Sequence, residues 1–186
     1  MARNLMAVLI VCLLAPALAP AEVKDSSANG FTITITLNIQ APPENVYERF
    51  MRIGNWWSPE HTFSRDAHNL SIEEKAGGCW CEKLPNQGGV RHMQVVYLAP
   101  GKRIVMNGGL GPLQSVAAAG AMEITFAPAE GGTKMKMTYA VMGYQPAGMN
   151  TWAAPIDSVL TEQLTRLKNF VEKGDPALKA EPAPKP

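Results

Sequence analysis

From Phe31 to Ile39 every odd position is apolar and every even one polar, the period of a strand that buries one face. Pro42 and Pro43 end it, and Pro43 suits the first position of a helix, where a missing N–H costs nothing. Val46, Tyr47, Phe50 and Met51 then recur at helical spacing, which predicts a short helix. Gly54 to Pro59 interrupt it, because proline disfavours helix at the residue before it. Strands are predicted over 69–74, 78–84, 90–98, 103–107, 119–126 and 134–142, set off by turn signals such as Pro85 to Gly89 and Glu130 to Gly132. From Pro155 the apolar residues Ile156, Val159, Leu160, Leu164, Leu167 and Phe170 fall three and four apart, with Asp157 expected in the first turn, Lys173 in the last and Gly174 just beyond. This is the longest predicted helix.

One strand, a short helical pair, about six antiparallel strands and a long closing helix define an α+β domain. In such a domain a curved antiparallel sheet turns its apolar face onto the final helix. No linker or internal repeat divides residues 30–174, and a chain of 186 residues suits one domain that folds without covalent staples. Residues 22–29 show no pattern and are expected to form a flexible tail. Residues 175–186, with four prolines among alanines and lysines, are expected to form a disordered one.

Residues 1–21 have the parts of a secretory signal in order. Arg3 starts it, and Leu5 to Leu14 form an apolar run too short for a bilayer core of about 30 Å at about 1.5 Å per residue. Small residues at alternate positions then place cleavage after Ala21. Val11 stands before Cys12, where a lipoprotein signal needs a small residue. The mature chain is therefore expected in the periplasm or outside the cell, with no membrane span. Loss of Arg3 leaves sixteen basic and sixteen acidic residues and no Lys/Arg stripe, which sets aside nucleic acid and anionic membrane as partners. Oligomeric state is not legible.

Several strings in this order resemble the SRPBCC superfamily of START-like, helix-grip proteins, in its branch of polyketide cyclases and heat-shock ATPase activator homologues. They are Ala41 to Tyr47 after the first strand, Trp56-Trp57 after the first helix, Gly77 to Glu82, Val95 to Arg103, and the closing helix around Leu164 to Leu167. The resemblance spans about Phe31 to Lys173. It implies a helix-grip fold with a cavity between the concave sheet and the long helix, and a lipid, polyketide or aromatic compound as the small hydrophobic partner. Members include both carriers and cyclases, so the resemblance does not fix an activity.

Trp56 and Trp57 fall where such folds place a pocket mouth, and Trp80, Met106, Tyr139, Tyr144 and Trp152 complete the expected ligand-binding set. Trp80 and Glu82 share one side of a strand, Cys79 and Cys81 the other. Glu82 on a cavity face, or His92 in its strand, are the candidate acids and bases; Glu123 is expected to point outward. No serine or cysteine has a nucleophile context. A Cys79–Cys81 bridge across an extended strand is strained unless a bulge intervenes. With His68, His92 and Met135, Met137 and Met142 the pair forms a conceivable soft-metal set, yet small strand residues and adaptable core methionines account for them equally, so no metal or cofactor is assigned. Three functions stay open: a non-catalytic ligand-binding protein, a cyclase- or hydrolase-like enzyme using Glu82 or His92, and an envelope protein-interaction module.

Overall fold

The computed structural model describes residues 22–178, so the leader assigned to 1–21 and residues 179–186 of the C-terminal tail lie outside the described residues. Eight strands run β1 Glu22–Ser27, β2 Gly30–Ile39, β3 Leu70–Ile72, β4 Cys79–Lys83, β5 Gly89–Ala99, β6 Arg103–Asn107, β7 Ala117–Ala129 and β8 Gly132–Tyr144. Helix α1 spans Pro43–Met51 and α2 spans Ala153–Lys173, with 3-10 turns between elements. The strands form one antiparallel sheet in the order β1-β2-β8-β7-β6-β5-β4-β3. The helix-grip architecture is the one expected.

The alternation of β2 explains its place. Phe31, Ile33, Ile35, Leu37 and Ile39 are all buried, and Ile33, Ile35 and Leu37 stand opposite Tyr139, Met137 and Met135 of β8. Helix α2 lays Ile156, Leu160, Leu164, Leu167 and Phe170 on the core, and its most extensive packing is against β2, β1 and α1. It ends at Gly174, whose left-handed φ of 77° lets its N–H reach Phe170 O at 3.1 Å. It begins at Ala153, two residues ahead of the expected start, so Asp157 stands in the second turn rather than the first. There burial raises the pKa of its carboxyl.

Residues 22–29 are not a tail. Glu22–Ser27 pair with Gly30 to Thr34 as an edge strand, closed by a turn at Ala28 and Asn29. An edge strand gains its place through backbone hydrogen bonds on one side and needs no apolar alternation, so composition concealed it. The start of the second tail also folds back. Asn169 Nδ2 donates to Leu178 O at 2.7 Å, and the Ala177 N–H donates to Asp175 Oδ1 at 2.8 Å.

Leu167 is fully buried between helix and sheet. Leu167→Ala is expected to lower unfolding free energy by about 2–5 kcal/mol, read as a reduced urea midpoint with an unchanged slope.

Candidate functional site

The concave face is not filled evenly. A cavity of about 320 Å³ opens between the first half of α2 and the β4–β5 end of the sheet, a size within the usual range for small-molecule pockets. Trp57 and Phe63 come from the segment after α1, Trp80 from β4 and His92 from β5. Leu110 and Pro112 enter from the β6–β7 connection, and Trp152, Ile156, Val159 and Leu160 from the start of α2. Glu60, His61 and Thr62 add the other polar side chains of the lining. His61 Nε2 lies 3.1 Å from Glu162 Oε2 of α2, which ties that segment to the helix.

Of the residues expected to bind ligand, Trp57, Trp80 and Trp152 line this cavity. Trp57 and Trp80 meet edge to face, 5.2 Å between centroids at 84°, a favourable packing for paired indoles. Trp57 Nε1–H donates to His61 O at 3.0 Å, fixing the ring. Trp56 does not line the cavity; it is buried behind Trp57, its Nε1–H donating to Phe50 O at 3.2 Å. Met106 is likewise core, packed where β6 faces the interior.

Tyr139 is a bracket rather than a lining residue. Its hydroxyl donates to Gly108 O and accepts from the Leu110 N–H, both at 3.0 Å, and burial pushes it up to about 12. The ring crosses Gly120 so closely that a Cβ there would sit 2.6 Å from it. The bracket holds the start of the connection whose next residues, Leu110 to Pro112, form cavity wall. Tyr144 is 71% exposed at the end of β8, because it falls on an outward position of that strand. Phe63, Leu110, Val159 and Leu160 were missed as lining. Val159 and Leu160 carried only a core-stripe signal, and Phe63 lies in a loop with no period.

The candidate acid and base come together, and a bulge is the reason. In the β4–β5 ladder Trp80 faces Met93 while Cys81 faces Arg91, so the register skips His92. Strict alternation would send His92 outward if Met93 points in. The extra residue turns both inward, and both are buried. His92 Nε2 then lies 3.0 Å from Glu82 Oε2, with the Glu82 residue only 1% exposed.

Burial raises the Glu82 carboxyl pKa, but hydrogen bonds from Ser64, the Phe63 backbone and His92 outweigh it and hold the group below the usual carboxylate range. Burial also lowers His92, against a smaller opposing pull from Glu82. The pair is therefore a carboxylate beside a neutral imidazole. An ionised carboxylate only accepts, so Nε2 carries the ring proton and Nδ1 presents a lone pair. Gln114 Nε2 lies 3.4 Å from that Nδ1. Phe63 stacks on the imidazole at 5.9 Å and 23°, with Trp80 tilted alongside at 6.1 Å.

Cys79 and Cys81 form a disulfide with Cα atoms 5.3 Å apart, inside the usual range, on the strand stretch that faces the bulge. Met135 and Met137 are core, Met142 is 70% exposed, and His68 is exposed beside Asp66. The conceivable soft-metal set is thus scattered. Glu123 points outward and pairs with Arg103 at 2.7 Å.

Both members of the Glu82–His92 pair have depressed folded pKa values, so both make the unfolded chain the stronger proton binder in acid. Stability is expected to fall as pH drops below about 6.5, the ordinary value of His92, and to lose more below about 4.5, that of Glu82. Urea midpoints across pH 4 to 8 check this, and His92→Gln, which keeps an N–H for Glu82, is expected to flatten the first part of the decline.

The family described as polyketide cyclase / dehydrase and lipid transport matches residues 30–172. No curated protein matches the chain. Among solved structures, a protein from Chromobacterium violaceum superposes with a TM-score of 0.54 at 20% identity, over 76% of this chain and 96% of that one. A conserved protein of unknown function from Enterococcus faecalis gives 0.59 at 16%, over 87% and 80%. DynU16, from the dynemicin biosynthetic locus, gives 0.54 at 16%, over 80% and 49%. At these identities the neighbours speak for the fold alone. The family match covers most of the chain, from the first residue of β2 almost to the end of α2: the chain belongs to the polyketide cyclase / dehydrase and lipid transport family.

Proposed function

We propose that this protein is an exported carrier that holds a small, largely apolar molecule with aromatic character in the cavity beside α2. The observation that carries this is the void itself: about 320 Å³ left unfilled and walled by three indoles and a phenylalanine, while Ile33, Met137 and Ile124 close the core of the sheet. Burial of about 200 Å² of guest surface at about 25 cal/mol per Å² supplies about 5 kcal/mol before the costs of immobilisation. Phe63 is 53% exposed although it borders the cavity, so a guest would cover apolar surface that water now wets. The family's description covers both lipid transport and cyclase or dehydrase chemistry, and DynU16 comes from a biosynthetic locus. Both fit a small organic guest. Among the described residues no helix is long and apolar enough to cross a membrane.

A second reading, an enzyme of the same fold, is favoured by His92 at the cavity wall with Glu82 bonded to its ring. A neutral imidazole oriented by a carboxylate is equipped to take a proton from a bound molecule.

Gentle purification followed by native mass spectrometry is expected to find the protein with a bound organic molecule. Val159→Trp, which fills the cavity, is expected to abolish that retention and to weaken binding of an added guest at least tenfold, with folding retained. An empty wild-type protein that also ignores a broad panel of apolar aromatics in thermal-shift assays overturns the carrier. Conversion of a bound compound that stops in Glu82→Gln selects the enzyme instead. Export is tested separately: the mature protein from a periplasmic fraction is expected to begin at Glu22, and a mass retaining residues 1–21 overturns it.

A further inference from the structure

The polar groups of the cavity wall specify more than an apolar guest. Among the lining residues, His92 is the one buried side chain with an acceptor turned toward a replaceable partner. Its Nε2–H is committed to Glu82, so its position is fixed and its Nδ1 lone pair is the free valence. Gln114 Nε2 meets that lone pair at 3.4 Å, at the limit of a hydrogen bond. Gln114 is exposed on the 3-10 turn Gly111–Ser115, and holding its long side chain in one place costs conformational entropy. A buried acceptor at a cavity wall is thus covered by a weakly held group from the surface.

A second observation points the same way. Trp80 Nε1–H is buried and has no hydrogen-bond partner among the described residues. A buried donor without an acceptor costs free energy, and native structures leave few of them. Trp80 lines the same cavity, and its ring adjoins that of His92, 6.1 Å between centroids. Two neighbouring rings of the wall thus carry one acceptor that is poorly used and one donor that is not used at all among the described residues.

We infer that the guest is a hydroxylated aromatic or enol whose O–H displaces Gln114 and donates to His92 Nδ1, with an oxygen of the same edge accepting from Trp80 Nε1–H. This deepens the carrier reading and rests on it. No bond is made or broken: the hydroxyl proton stays on its oxygen, and Glu82 and the imidazole set the polarity of the acceptor. The rest of the wall takes the carbon skeleton.

The test uses the full chain and three probes of matched shape, 2-naphthol, 2-methoxynaphthalene and 2-methylnaphthalene, with affinities from isothermal titration calorimetry. The methoxy probe keeps the oxygen and loses the donor. 2-Naphthol is expected to bind about tenfold tighter than 2-methylnaphthalene, with the methoxy probe close to the hydrocarbon. His92→Phe is expected to remove the hydroxyl's advantage and leave the hydrocarbon's affinity in place. Gln114→Ala, an exposed change that the fold tolerates, is expected to widen the advantage, since it removes the competitor. Equal binding of all three probes overturns the inference and leaves the carrier standing; so does an advantage that Gln114→Ala leaves unchanged. If none of the three binds, this inference falls, and the carrier falls with it only where the purified protein is also empty and ignores the broad panel.

Discussion

One helix has to cover the concave face of eight strands, and it is too narrow to do so. Strands about 4.8 Å apart make such a sheet about 34 Å across, whereas a helix with its side chains is about 10–12 Å wide. Helix α2 settles chiefly on β2, β1 and α1. The β3–β6 side is left to the chain between α1 and β4 and to the β6–β7 connection, which cover it with Trp56, Trp57, Ala67, Leu70 and Leu113. Irregular segments tile a curved surface less completely than a helix stripe. The cavity is the remainder of that covering.

Its walls are held by groups that do not themselves face it. Trp56 anchors to Phe50 O and backs Trp57; Tyr139 pins Gly108 and Leu110 and so sets the wall beyond them. Gln163, fully buried on α2, accepts from the Ser58 N–H at 2.7 Å through Oε1, and Arg166 donates to Trp56 O at 2.9 Å. These contacts join the aromatic segment to the helix across more than a hundred residues of sequence. Displacement of either partner would move Trp57.

The sheet and the closing helix were legible because their periods are clean: β2 alternates without a fault, and the α2 stripe runs through to Phe170. Strand β1 was not, since an edge strand of Glu, Lys, Asp and Ser carries no burial signal. The site was legible in part. Three tryptophans and the pair Glu82 and His92 stood out by residue type, yet nothing in the sequence says that the ladder skips a residue at His92, and without that bulge alternation argues against its burial. Tyr139, Tyr144 and Met106 were misplaced for the converse reason. A large side chain in a strand can face core, cavity or water, and local sequence does not distinguish a hollow from a packed interior.

The buried carboxylate has a consequence for what can enter. Among the described residues Glu82 has no Lys or Arg partner; its ionised form is kept by neutral donors from Ser64, Phe63 and His92. Such dipoles offset the cost of desolvation but leave a full negative charge beside a poorly screened hollow, where Coulomb repulsion reaches several kcal/mol over short distances. In the proposed carrier a carboxylate guest would therefore meet a penalty on approach that a neutral alcohol, ketone or hydrocarbon would not. Charge as well as shape would then decide which guests the proposed site takes.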